Sequence, residues 1–364
     1  MRTFAERDVA PNAVRWEQEE VLPWDGIQKL AGAGLMGLSY PKRVGGQARS
    51  WVEYNIAMEE LGRVDGSTAT ICHMQNLYPK LVVDDQVWGQ VVSGHKVIAF
   101  AETEPQAGGD AAAIRTTARP VGDCYILNGQ KAYVSLVPGA QQLIVTALTS
   151  PEQGGVKGMS LFLVDADQAG VSIARIPEPG FRAHMLGHVL LKNVEVPAIR
   201  LLGVENKGFY YMRSRWDFTR GVGGTQYVGA AMRALEDTVE HAKRRRTFGK
   251  PLIKWQAVQL RLVDHFSELR AARLLCYEAA WMADKQMRLT QHASMIKTWV
   301  AEVCLKTMLD CAIVWGGSGY QELHPIQMRL RNAMAFVMLG GGLDIHKMVL
   351  GTEIFGRDFN ALKP

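Results

Sequence analysis

Apolar residues change their spacing twice along the chain, and the two changes divide it into three stretches. From the start to about residue 97 they recur at helical intervals, as in Val52, Ile56, Met58 and Leu61 among polar neighbours. Pro41 and Gly45-Gly46 punctuate this stretch, which predicts a set of helices. Between about 98 and 205 the period falls to two. Short β-rich runs appear at Tyr125-Ile126-Leu127, Leu143-Ile144-Val145, Leu161 through Val164 and Val189 through Val196. Asn128-Gly129 and Gly154-Gly155 read as turns between the runs, so the spacing predicts an antiparallel β-domain. After Gly208 the helical period returns through Val228, Ala231, Leu235, Val239 and Ala242, then Val258, Leu262, Phe266 and Leu269, then about Ala293 to Cys311. Long helices with short breaks predict a bundle.

Helices, then strands, then a bundle give an α+β layout with segments at residues 1–97, 98–205 and 206–364. Strands do not alternate with helices, and neither G-x-G-x-x-G after a strand nor G-x-x-x-x-G-K-[ST] occurs, so a nucleotide-binding parallel sheet is disfavoured. At 364 residues with 48% hydrophobic content the chain can bury a large core in more than one subdomain. It has no run of about 18 apolar residues and no apolar N-terminal stretch, so a soluble, cytoplasmic or organelle-matrix protein with no membrane partner is expected. Five cysteines, Cys72, Cys124, Cys276, Cys304 and Cys311, lie unpaired in apolar patterns and read as reduced core thiols. A net charge of +5 spread along the chain argues against nucleic acid and leaves anionic small ligands open.

Thr103-Glu104-Pro105-Gln106-Ala107-Gly108-Gly109-Asp110, read as preceding the first strand, is a turn whose backbone amides can approach a planar polar ligand. On composition alone its default is a surface turn. Further on come Asn128-Gly129-Gln130-Lys131 leading into Tyr133-Val134-Ser135, Arg245-Arg246-Thr247-Phe248-Gly249-Lys250, Gln256, and Gly316-Gly317-Ser318-Gly319-Tyr320. Together and in this order they resemble the acyl-CoA dehydrogenase family over nearly the whole chain, including Asn193 through Pro197 and Glu205 through Phe209.

The resemblance implies an N-terminal α-domain, a middle β-domain and a C-terminal four-helix domain, with FAD between the last two. Carried over by position, the Thr103 turn, including Gly109, embraces the flavin pyrimidine. Ser135 offers a hydroxyl toward N5, and Tyr133 takes the place of the usual tryptophan against the ring. Arg245, Thr247 and Phe248 reach the FAD of an adjacent subunit, Gln256 and the Gly316-Gly317 turn match further flavin positions, and the chain is expected to form a dimer or tetramer. Without the resemblance, the basic run Lys243 to Arg246 reads as a solvated helix end.

Three departures stand out. Ile313 replaces a glutamine expected to bind the neighbour's FAD, and Gly109 replaces a serine. The third is larger: Pro325, Arg331, Ala333 and Ile345-His346-Lys347 align without a gap and set Gly340-Gly341-Gly342 over the family's Glu-Gly-Thr, so the catalytic glutamate is replaced by Gly340. The alternative position of that glutamate, just before Arg220, holds Thr219. A positioned general base contributes about 10²–10⁴-fold. The weak substitutes are Glu102 and Asp217, with solvated or structural roles as their defaults, and Asp344 reads as structural. Gly340 keeps the backbone N–H that polarises the thioester carbonyl in the family. His184 and His188 are four apart but lie in a loop-to-strand segment without a third ligand, so no metal is expected.

The expectation is an FAD enzyme acting on an acyl-CoA or acyl-carrier-protein thioester, by α,β-dehydrogenation or the related reduction, with electron-transfer flavoprotein or another acceptor. Two alternatives stand beside it. One is a non-catalytic subunit that completes the FAD site of a base-bearing partner in a heteromeric dehydrogenase; the other is different flavin chemistry such as oxygen activation.

Overall fold

The computed structural model describes residues 1–356; residues 357–364 of the third segment lie outside the described residues. The first segment folds into α1 (Ala13–Glu19), α2 (Trp24–Gly32), α3 (Trp51–Val64), α4 (Gly66–Leu77) and α5 (Asp85–Val92), joined by short turns. Ser50 starts α3 with a capping box: its hydroxyl accepts the Glu53 N–H, and the Glu53 carboxylate accepts the Ser50 N–H. Asp65 both ends α3 and caps α4, accepting the Thr68 N–H at 2.7 Å. The buried stripe of α3 is Tyr54, Ala57, Met58 and Leu61, at i, i+3, i+4 and i+7. Ile56, part of the sequence pattern, points outward and is exposed.

The middle segment forms an eight-stranded sheet ordered β6-β7-β3-β2-β4-β5-β8, with β1 also on β4. Its strands are β1 (Ile98–Ala101), β2 (Thr117–Val121), β3 (Cys124–Ser135), β4 (Gln142–Leu148), β5 (Met159–Asp165), β6 (Val171–Ile176), β7 (Leu186–Pro197) and β8 (Leu201–Leu202). Pairing is antiparallel except that β1 runs parallel to β4 and β2 meets β4 in parallel at Thr117 and Leu148. Asn128-Gly129 is not a turn: it lies inside β3, where the pairing with β7 shifts register. Gly129 is there because a Cβ would sit 2.7 Å from the Thr116 Cα, so the residue answers a close backbone approach. The turn between β2 and β3 is Gly122-Asp123 instead, with Gly122 at φ +55°. Likewise β1 comes before the Thr103 turn, which therefore follows the first strand.

The last segment holds α6 (Gly208–Gly223), α7 (Thr225–Arg244), α8 (Gln256–Asp284), α9 (Thr290–Met295), α10 (Ala301–Trp315), α11 (Pro325–Met338) and α12 (Leu343–Phe355). A hairpin of β9 (Arg246–Thr247) and β10 (Lys250–Pro251) separates α7 from α8. Val228, Ala231, Leu235, Leu262, Leu269, Cys276, Ile296 and Cys304 form the bundle core, whereas a second core joins the N-terminal helices to the sheet. Phe266, which fits the helical pattern of α8, is 61% exposed. The five cysteines are free thiols. Among the described residues no single helix is long and apolar enough to cross a membrane.

The two helical segments are held together where α3 crosses α7. A Cβ on Gly62 would lie 2.0 Å from the Gln226 carbonyl oxygen, and one on Gly229 would lie 2.1 Å from that of Glu59. Beside the crossing, the buried Glu59 accepts from Arg273 Nε and from the Tyr277 hydroxyl, both at 2.8 Å, which ties α3 to α8 as well. Gly62→Ala or Gly229→Ala is therefore expected to lower stability by about 1–3 kcal/mol, since the backbones must separate. Chemical denaturation checks this; a loss below about 0.5 kcal/mol would mean that the crossing yields freely.

Candidate active site

The Thr103 turn is built around one buried charge. Glu104 and Ala107 exchange backbone hydrogen bonds at 3.1 and 3.0 Å, closing the turn. The Glu104 carboxylate accepts the Lys131 ammonium at 2.7 Å and the N–H groups of Arg115 and Thr116 at 2.7 and 3.1 Å. Burial works to raise this carboxyl, but Lys131 and the N–H donors hold it below its ordinary value. Lys131 is fully buried, and burial draws it down to about 8 against the pull of Glu104. It also donates to the Glu102 carbonyl at 3.2 Å and to the Thr146 hydroxyl at 2.8 Å. The Ala132 N–H donates to the Thr103 carbonyl at 2.8 Å, so the turn is fixed against β3. Just beyond, β3 shifts register between Lys131 and Val134, and Tyr133 adopts φ +55°. That bulge turns Tyr133 outward, 56% exposed, with Ser135 half-buried next to it.

Opposite stands the Gly340 loop. Lys297 grips the end of α11, donating to the carbonyls of Phe336 and, at 2.5 Å, Leu339; burial, aided by Arg220, pulls its ammonium down to about 7. Gly340 and Gly341 follow at φ +70° and +86°. Arg220 Nε donates to the Gly340 carbonyl at 3.2 Å, and His346 Nε2 lies 3.4 Å from the same oxygen. Burial pulls His346 down to about 4, so it is neutral at pH 7. With its carbonyl fixed, the exposed Gly340 has an N–H that meets no acceptor among the described residues. A Cβ on Gly340 would meet nothing within 4 Å, so the place of the expected glutamate side chain is open.

Helix α6 joins the two sides. Trp216 Nε1 donates to Glu102 Oε2 at 3.2 Å, and the Arg220 guanidinium lies 5.1 Å from the centre of the Trp216 ring. Burial raises Glu102 to about 7, against the opposing pulls of Trp216, Arg220 and Lys131. Tyr78, stacked on Phe100 at 4.6 Å, faces Glu102 and Arg220 from the N-terminal helices. On the far side, a Cβ on Gly109 would meet Ile345 of α12 at 3.1 Å, so the turn abuts the helix that follows the loop. Glu102 is thus linked to the Gly340 loop through Trp216 and Arg220, Gly109 abuts α12, and Thr103 lies against β3 just ahead of Tyr133 and Ser135. The Thr290 hydroxyl donates to Asp217 at 2.7 Å, which ties α6 to α9. The Thr219 hydroxyl donates to the Arg215 carbonyl at 2.9 Å and also pairs with Tyr78, and Asp344 is exposed at the start of α12. His184 is buried with Nε2 3.4 Å from Met74 Sδ, and the His188 ring lies 5.8 Å from that of Tyr133.

Arg245, Thr247, Phe248, Gln256, Gly316 and Gly317 form a second group at one end of the bundle. Arg245 follows the last residue of α7 in extended conformation with its side chain exposed, and Phe248 at the hairpin tip is 94% exposed. The Thr247 hydroxyl accepts from Trp255 Nε1 at 3.1 Å, and Gln256 opens α8 exposed. Gly316 and Gly317 end α10, and Ile313 is exposed beside them. Arg245, Phe248, Gln256, Gly316, Gly317 and Ile313 are exposed to solvent, and Thr247 is half-buried. Tyr78, Lys297 and the Trp216 indole were passed over in the sequence, where His346 entered only as part of the aligned Ile345-His346-Lys347. Only a lysine amid an apolar pattern, Lys297 or Lys131, carried a signal.

The first group suits a planar polar ring. Thr103 and Ser135 supply hydroxyls, Tyr133 supplies an exposed aromatic wall, and a Cβ on Gly108 would meet nothing within 4 Å, leaving the turn open to close approach. Family models for the N-terminal, middle and C-terminal domains of acyl-CoA dehydrogenases match residues 1–83, 99–194 and 206–355. The chain is 33% identical over 365 residues to a 3-(aryl)acrylate reductase of Clostridium sporogenes, covering 97% of this chain and 96% of that protein. It is 31% identical over 359 residues to a subunit of the caffeyl-CoA reductase–Etf complex of Acetobacterium woodii, covering 96% and 94%. The structure of butyryl-CoA dehydrogenase from Megasphaera elsdenii superposes with a TM-score of 0.92 at 28% identity, covering 97% and 96%.

Because Lys131 neutralises a buried carboxylate, Lys131→Met is expected to cost about 3–5 kcal/mol, and adding Glu104→Gln should recover part of that loss. Denaturation of the single and double variants measures the coupling. Additive losses would show that the two side chains act independently.

Proposed function

The chain belongs to the acyl-CoA dehydrogenase family, and from that membership we propose that it is an FAD-dependent oxidoreductase of acyl thioesters, catalysing α,β-dehydrogenation or the related reduction. The observation that carries this reading is the junction of three segments at one place: the Thr103 turn and β3 on one side, α6 between, and the Gly340 loop opposite. FAD, when bound, supplies the acceptor for hydride from the thioester β-carbon. Thr103, Tyr133 and Ser135 hold its ring, with the Gly108-Gly109 backbone close by. Arg220 and His346 fix the Gly340 peptide by its carbonyl, which leaves the N–H free to polarise the thioester carbonyl. The relatives named as reductases and the one named as a dehydrogenase support either direction of the same chemistry.

Electron-transfer flavoprotein is the proposed redox partner, supported by the relative named for a complex with Etf. The carrier of the acyl group is coenzyme A or a carrier protein. Arg245, Thr247, Phe248, Gln256, Gly316 and Gly317 serve the FAD of a second copy, in a dimer or tetramer. Exposed Leu260, Val263, Phe266, Leu274 and Trp281 on α8, with Leu309 and Ile313 on α10, give such an assembly an apolar surface to cover. One observation favours a second reading, a non-catalytic subunit completing a partner's FAD site: the exposed Arg245 hairpin is kept where the base position holds Gly340.

Purified protein is expected to be yellow and to bleach anaerobically when a saturated acyl-CoA is added, or to reoxidise from the reduced state with an enoyl-CoA. Colourless protein that acquires FAD only with a base-bearing homologue would establish the subunit reading instead. Arg245→Ala, which removes a charge-assisted pair with the cofactor pyrophosphate, should weaken FAD retention by roughly 10–100-fold in equilibrium dialysis. Unchanged retention would exclude Arg245 from the cofactor site.

A further inference from the structure

We propose that Glu102 is the group that exchanges the α-proton of the thioester, acting from the β-domain side in place of the glutamate missing at Gly340. This rests on the thioester reading above. Glu102 directly follows β1 and leads into the Thr103 turn, and its carboxylate faces α6. Oε2 accepts the Trp216 indole N–H, while Oε1 has no hydrogen-bond partner among the described residues and is not one of the sealed, unsatisfied atoms. One oxygen is therefore anchored and the other free. Arg220 connects this carboxylate to the loop: its charge acts on Glu102 while its Nε holds the Gly340 carbonyl. Arg220 is thus shared between Glu102 and the Gly340 loop.

The neighbouring carboxylates are committed elsewhere. Glu104 is locked to Lys131 and two backbone N–H groups, and Asp217 is bound to Thr290. The charged and titratable groups around Glu102 are Arg220 on α6, Lys131 on β3 and Tyr78 from the N-terminal helices, with Glu104 two residues along its own chain. Burial favours the protonated form while the Trp216 N–H, then Arg220 and Lys131, favour the ionised one, and the balance lies at about 7. Both forms are then present near neutrality, as a group that takes and returns a proton requires.

The step itself is a proton transfer without redox change. The Glu102 carboxylate forms an O–H bond with the α-proton, and the electron pair of the broken C–H bond delocalises onto the thioester oxygen, whose negative charge the Gly340 N–H stabilises. In the reductive direction the protonated acid returns the proton to the α-carbon.

The test uses the flavin-loaded protein with 3-thiaacyl-CoA probes of four to eight carbons, whose β-sulfur has no hydride to lose. Probe binding is read from the change in flavin absorbance, and α-proton exchange with D₂O from NMR. Wild type is expected to exchange the α-protons at a rate that rises with pH through about 7 and then levels, as the carboxylate becomes its ionised form. Glu102→Gln should bind the probe equally but exchange about 10²-fold slower or less, with no inflection near pH 7. Glu102→Asp should recover part of the rate, which separates a proton-transfer role from one in folding. Infrared difference spectra of wild type against Glu102→Gln, without any thioester, should show a carboxyl band that disappears through the same pH range. Exchange in Glu102→Gln at the wild-type rate, or probe binding by wild type without exchange, overturns the assignment of Glu102 while leaving the thioester reading intact. Failure of every probe to bind sinks that reading itself.

Discussion

The site depends on the Glu104–Lys131 pair more than on any other contact. A fully buried ammonium beside a buried carboxylate is a poor source of net stability, because desolvation of both ions offsets most of their attraction. Its effect is positional. Lys131 draws in the Glu104 carboxylate, the Glu102 carbonyl and the Thr146 hydroxyl, so that β1, the turn, β3 and β4 share one centre. Tyr133 and Ser135 take their place from the bulge that follows Lys131, and Glu102 takes its direction from the strand that precedes Glu104. Loss of either partner would leave an unpaired buried charge, so the turn has one arrangement rather than several.

Across the site the controlling feature is a backbone one. Three successive glycines would ordinarily leave Gly340 to Gly342 free to sample many conformations. Here the start of the segment is restrained: Lys297 holds the last carbonyls of α11, while Arg220 and His346 converge on the Gly340 oxygen. What the glycine gives up is a side chain; what the surrounding groups preserve is the orientation of a peptide. Of the two functions that one residue would serve in the family, carbonyl polarisation needs only the backbone, and proton transfer needs a carboxylate from elsewhere.

Much of the architecture was legible because burial imposes periodicity. The helical and strand stretches follow from it, and so does the order of the three parts. The misplacements have local causes. Asn128-Gly129 carries the residue types of a hairpin turn, but its glycine answers the approach of the Thr116 backbone inside β3, which only the three-dimensional pairing reveals. Ile56 and Phe266 fit helical spacing yet point outward, since a spacing defines a stripe without saying which stripe faces the core. For the site, the motif residues quoted from the turn and β3 come together, because they are close in sequence or paired by the sheet. Lys297, Tyr78 and His346 could not be read in this way: their roles arise from helices that meet only in the folded chain. Asp217 was equally ambiguous in sequence, and its bond to Thr290 assigns it to the seam between α6 and α9.

Arg220 makes the two halves of the site interdependent. If it served the Gly340 carbonyl alone, a lysine of suitable reach would do; if it only lowered the Glu102 carboxyl, a more distant charge would do. A planar guanidinium offers separate donors in a fixed arrangement, so it can hold the loop through Nε and still present charge to Glu102 and its face to Trp216. The same cation is partly desolvated, and burial pulls it below its usual value although Glu102 and Tyr78 oppose this. One cation therefore bears on both sides of the site, through a hydrogen bond to the Gly340 carbonyl and through its charge on Glu102.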